Sequence, residues 1–127
     1  MNYKEYFEKT KGTGVLSTAD NHGRVDAAIY SRPHILEDGT LAFIMRDRLT
    51  HSNLQTNPFA VYLFIEEGPG FKGKRLFLCK VREERDNDRI LSLSRRTYAD
   101  DDNHKRFLMI FKVDKELPLV GAGEVDE

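Results

Sequence analysis

The run Phe59-Ala60-Val61-Tyr62-Leu63-Phe64-Ile65-Glu66 constrains the fold of this chain more than any other segment. It is almost continuously apolar and rich in β-branched and aromatic side chains. Pro58 precedes it and Glu67-Gly68-Pro69-Gly70 follows, which is the pattern of a short strand rather than a helix. The lack of polar alternation predicts a central strand covered on both faces.

Similar runs flank it. Gly14–Ala19 is a short strand that leads into the turn cluster Asp20-Asn21-His22-Gly23. Arg24–His34 is a long extended segment with Pro33 near its end, and Asp38-Gly39 then marks a hairpin into Thr40–Met45. These three strands are expected to form an antiparallel meander. Lys74–Arg82 and Arg106–Val113 are further strands, and Leu117–Gly123 is an apolar tail. Three short helices are expected: Asn2–Lys11, with Tyr3, Tyr6 and Phe7 on one face; His51–Asn57, with Thr50 as N-cap and Pro58 as stop; and Asp86–Tyr98. About six antiparallel strands in a small domain close most simply into a mainly β barrel, which removes exposed sheet edges.

At 127 residues the chain is the size of one domain, 1–127. It carries 20 Lys+Arg against 21 Asp+Glu, and a net charge of −1 supplies no bulk attraction to nucleic acid or anionic lipid. One cysteine excludes an internal disulfide, and the four histidines do not fall at metal-ligand spacing, so no metal site is expected. No apolar run approaches the roughly 20 residues of a membrane span. The first twelve residues alternate charges and aromatics, unlike a secretory leader. A cytoplasmic protein with no nucleic-acid or membrane partner is the expectation.

The segment Arg46-Asp47-Arg48-Leu49-Thr50-His51 follows an apolar strand and opens a helix. Two guanidinium groups, a hydroxyl and free helix N–H groups in one place suit a phosphate. A solvated loop with a Thr cap explains the same residues. Gly68–Lys74 reads as a hairpin connection rather than a phosphate loop, since no helix follows it, and Asp100-Asp101-Asp102 reads as a solvated loop.

The order of these features resembles the FMN-binding split barrel of the pyridoxamine 5′-phosphate oxidase-like proteins, in particular the small bacterial FMN-binding proteins. The likeness runs over about 7–82. Its most specific part is Asn53-Leu54-Gln55-Thr56-Asn57-Pro58 leading into Ala60-Val61-Tyr62. The resemblance implies a six-stranded antiparallel Greek-key split barrel that forms a homodimer, with FMN held non-covalently at the subunit interface. It further implies that Ala28, Ile29, Tyr30 and Ser31 lie along the flavin ring. Ile44, Met45 and Arg46 would contact the ring, and Arg48, Leu49, Thr50 and His51 would hold the phosphate. The implied role is an oxidoreductase or electron carrier with a small-molecule or protein redox partner. Alternatives are a flavin-storing or sensing module, or the same barrel holding deazaflavin, or haem on His34 or His104. The oxidases carry basic residues where Ala28, Pro33, Leu49 and Thr50 stand here, and the arginine–histidine motif of their longer tails is missing from Leu117–Glu127. These departures argue against pyridoxamine-phosphate oxidation itself.

Overall fold

The computed structural model describes residues 2–94 and 105–121. The elements are α1 (Tyr3–Lys9), β1 (Gly12–Ala19), β2 (Val25–Ile29), β3 (His34–Ile35), β4 (Leu41–Arg46), α2 (Leu49–Thr56), β5 (Phe59–Glu66), β6 (Gly73–Glu84), α3 (Asn87–Leu93) and β7 (Arg106–Pro118). The strands form one antiparallel sheet in the order β2-β1-β5-β6-β7-β4-β3.

That order makes the sheet curl. Laid flat, seven strands would separate β2 from β3 by about 29 Å. Only residues 30–33 join those two edges, and such a link reaches at most about 18 Å. The sheet therefore bends round until its edges approach, leaving an open barrel.

The meander expected from Arg24–His34 is not formed. The segment breaks after Ile29, its first half pairing with β1 and its last residue, His34, pairing with β4 together with Ile35, at opposite ends of the sheet. The cause is non-local. The Tyr62 hydroxyl donates to the Tyr30 carbonyl at 3.0 Å, and the Tyr30 N–H donates to Gly14 at 3.0 Å, which pins the chain where it leaves β2. A Cβ at Gly14 would overlap the Tyr62 ring, so this crossing requires glycine there. The break raises the strand count from the expected six to seven.

The turns behave as their residues suggest. Asp20 accepts from the His22 and Arg24 N–H groups at 2.9 and 3.0 Å, and Gly23 takes φ 81°. The last strand is longer than expected: β7 continues past Val113, pairing Leu117 with Arg75 and Pro118 with Lys74. The third helix spans Asn87–Leu93, is capped by the Asp86 carboxylate and ends at Ser94, which is extended, short of the expected Tyr98; positions 95–98, the acidic run and His104 lie outside the described residues.

The main core is aromatic. Phe7, Phe43, Tyr62, Phe64, Phe107 and Phe111 are buried with Leu16, Leu41, Leu54, Leu76 and Leu78. Phe7 meets Phe64 edge-on at 5.2 Å, and Phe43 meets Tyr62 at 4.9 Å. Strand β5 is central, but a single chain covers only one of its faces, contrary to the expectation. Ala60, Tyr62 and Phe64 point into the core, while Phe59 is 61% exposed and Val61 and Leu63 are half-buried.

Candidate functional site

The barrel is split between β2 and β4. Strand β2 pairs only with β1. Strand β4 pairs with β7 along its length but with β3 only through Leu41 and Ala42, so Phe43–Arg46 have a strand on one side alone. Helix α2 starts directly after β4, at this gap. Its local sequence explains its hold on the barrel. Leu54 enters the core, and the Asn53 side-chain amide donates to Thr18 Oγ1 at 3.0 Å in a buried bond. Asn57 accepts from the Phe59 N–H at 3.1 Å, turning the chain into β5 beside Pro58. The Lys80 ammonium donates to the Leu54 carbonyl at 3.1 Å, near the negative end of the helix.

Between β2, β4 and the start of α2 lies a cleft of about 510 Å³, lined by Asp26, Ala28, Ile29, Tyr30, Ile44, Met45, Arg46, Arg48, Leu49 and Thr50. Nine of these are among the eleven residues selected from the sequence; Asp26 is the addition. Ser31 is exposed on the link to β3 and does not line the cleft. His51 is buried on another side of α2, stacked on Phe107 with ring centres 3.8 Å apart.

Thr50 is not the N-cap. That position belongs to Arg48, which makes no side-chain capping bond, and the first turn of α2 carries no acidic residue. The first-turn N–H groups thus start the helix without a side-chain acceptor, between Arg46 and Arg48, where an anion finds both backbone dipoles and guanidinium charge. Thr50 is buried one residue into the helix, and its hydroxyl donates to Asp26 Oδ2 at 3.2 Å. Asp26 was missed in the sequence, although period-two alternation puts it on the same face of β2 as Ala28.

Tyr30 lies edge-on to Phe43 at 6.0 Å. Burial raises its phenol above the ordinary value; a hydrogen bond with Thr50 opposes this, the Asp26 carboxylate adds to it and the Arg48 charge opposes it. The phenol stays protonated at neutral pH and keeps an O–H beside the cleft.

Ala28 leaves one wall low, and the half-paired β4 offers main-chain N–H and C=O groups on the other. A planar heterocycle with a polar edge and an anionic tail suits that donor set. The volume falls within the roughly 300–1,000 Å³ common for ligand pockets. Among the described residues no group of three His, Cys, Asp or Glu could hold a metal ion, and no helix is long and apolar enough to cross a membrane.

No protein-family model and no curated protein matches the chain by sequence. Solved structures do match in fold. An FMN-binding protein from Syntrophomonas wolfei subsp. wolfei superposes with a TM-score of 0.72 at 23% identity, over 94% of this chain and 84% of that one. An F420 reductase gives 0.68 at 16% identity, over 89% and 94%. A Listeria innocua protein provisionally assigned as a pyridoxamine 5′-phosphate oxidase gives 0.66 at 19%, over 91% and 93%. The chain has the fold of these FMN-binding and pyridoxamine 5′-phosphate oxidase-like proteins, as the sequence resemblance indicated.

Proposed function

We propose that this chain is an FMN-binding flavoprotein, an oxidoreductase or electron carrier of the cytoplasm. It holds FMN without a covalent bond in the cleft between β2, β4 and α2. One observation carries the reading: the cleft joins an α2 N-terminus free of side-chain capping, flanked by Arg46 and Arg48, to a low apolar wall at Ala28 and a half-paired strand edge at Ile44–Arg46. Bound FMN would supply hydride or electron transfer at its N5. Arg48 and the α2 N–H groups hold the phosphate in this reading, Ala28 lets the ring approach β2, and the Ile44–Arg46 backbone meets its polar edge. Arg46 places positive charge where the reduced ring becomes anionic.

The functional unit in this reading is a homodimer. Cross-strand register gathers Val25, Ala27 and Ile29 of β2, Val15, Ser17 and Ala19 of β1, Phe59, Val61 and Leu63 of β5, and Phe77 of β6 on the outer face of the sheet. Ile29 is 72% exposed there and also lines the cleft, so a second chain on this face borders the flavin. In this reading β2 and β3 count as one bent strand of a six-stranded Greek-key barrel. Deazaflavin is the second reading, favoured by the fold match to an F420 reductase. Two arginines opposed by Asp26 suit the short phosphate tail of FMN better than a longer polyanionic one.

The test is the visible absorption spectrum after adding FMN, or separately F420, and desalting. Retained FMN that is lost in the Arg48→Ala/Thr50→Ala double variant supports the proposal. Retention of F420 alone would replace FMN, and retention of neither would remove the flavin reading.

A further inference from the structure

Behind the cleft, His51 sits at the third helical position of α2, one residue after Thr50. Its Nε2 lies 3.0 Å from Glu83 Oε1 and its Nδ1 3.3 Å from Asp47 Oδ1. Glu83 accepts from the Nε2–H tautomer, and the Asp47 carboxylate lies close to Nδ1 as a charge contact. Gln55 Nε2 also donates to Glu83 Oε1, at 2.9 Å, and both donors converge on one oxygen of a largely buried carboxylate. Lys80 stands 3.8 Å from the same oxygen, and the Arg85 guanidinium lies 3.4 Å from Oε2 and over the Phe107 ring. The His51 ring stacks on Phe107 with ring centres 3.8 Å apart. The imidazole thus ties the first turn of α2 to both β6 and β7.

The second contact bears on charge. Asp47 lies between Arg46 and Arg48, both of which line the cleft, whereas Asp47 does not. Its carboxylate is turned back onto His51 Nδ1, away from the place where an anion would meet the two guanidinium groups.

We propose that His51 is a positioning residue for the anion end of the cleft. It clamps the first turn of α2 against Glu83 and Phe107 and holds the Asp47 carboxylate away from the phosphate. This inference rests on the flavin reading for the identity of the ligand but not for the clamp itself.

The test compares FMN with riboflavin, which lacks the phosphate, and with inorganic phosphate alone. In His51→Phe, which keeps the stack on Phe107 and removes the hydrogen bond to Glu83 and the contact with Asp47, the preference for FMN over riboflavin should fall about tenfold while riboflavin affinity changes less than about twofold. Adding Asp47→Asn should recover part of the preference, and His51→Gln should retain part of it through Glu83. If His51→Phe does not fold, His51→Gln and Glu83→Gln read the same ratio. Equal weakening of FMN and riboflavin, as a purely packing role predicts, or an unchanged ratio would overturn the proposal. Inorganic phosphate should shift the Thr50 and Ser52 amide resonances of the flavin-free wild type and not those of His51→Phe. Those shifts without any flavin binding would overturn the flavin reading and leave the clamp standing. No phosphate-dependent shift in the wild type would overturn the clamp.

Discussion

The two faces of β5 are built from the same kinds of side chain and meet opposite fates. Inward, Ala60, Tyr62 and Phe64 are buried with Phe7, Leu16 and Phe43. Outward, Phe59 stays exposed and Val61 and Leu63 are half-buried, on the same face as Val25 and Ile29 of β2 across β1. A continuously apolar strand announces two covered faces, and one chain supplies cover for only one of them. The inner face is the one that specifies the fold, while the outer face is the one the proposed homodimer would cover. The cleft lies where the two meet, with Ala28 on the inner face of β2 and Ile29 on the outer.

Truncation on the inner face should have the largest effect. Phe64→Ala should cost about 3–5 kcal/mol, read as a lower denaturant midpoint at constant slope. The matching outer change, Val61→Lys, should leave the circular dichroism of the fold intact and turn a sedimenting dimer into a monomer. A wild type that already sediments as a monomer, or a Val61→Lys protein that stays dimeric, breaks the comparison.

At the junction, Arg48→Ala should weaken FMN binding by about 1.5–3 kcal/mol, the range for a charge-assisted hydrogen bond, and leave riboflavin binding nearly unchanged. Tyr62→Phe removes the bond to the Tyr30 carbonyl and should cost about 1 kcal/mol of stability by denaturant titration. Asp26→Asn removes a carboxylate from the phosphate end and should tighten FMN severalfold relative to riboflavin.

The smallest effect is a pH dependence. Burial pushes the Glu83 carboxyl up, but the Gln55 hydrogen bond and the His51 and Lys80 charges outweigh it and hold the group below its ordinary value of 4.5. A depressed carboxylate contributes stability at pH values above that ordinary value, and the contribution disappears as pH falls through the lower folded-state value. Glu83→Gln should therefore flatten the decline of melting temperature below about pH 4.5 and leave the slope near neutrality unchanged.

Much of this was legible in local sequence. Leu54, Asn57 and Pro58 each carry a short-range task, helix packing, turn and stop, and the element they mark lies where it was expected. Asp38-Gly39 and Asp20–Gly23 likewise determine their turns through their own side chains and φ angles. What local pattern does not carry is decided by distant partners. The break after Ile29 depends on Tyr62 reaching Tyr30 past Gly14, more than 30 positions away in the chain for one partner. The separate fates of Thr50 and His51 depend on how α2 is rotated against β2, β6 and β7. A side chain's direction on a two-turn helix is set by what it packs against, and for His51 that partner is Phe107. Asp26 was hidden because a lone carboxylate in a strand has no motif of its own.

The most direct test of the account is a flavin titration of Ala28→Phe, followed by quenching of FMN fluorescence. Ala28 is half-buried, lines the cleft and is not a member of the buried core cluster, so the added ring fills the low wall of the cleft. The wild type should bind one FMN per chain, and Ala28→Phe should lose binding while keeping its melting temperature. FMN binding by Ala28→Phe equal to that of the wild type would place the flavin elsewhere and contradict it.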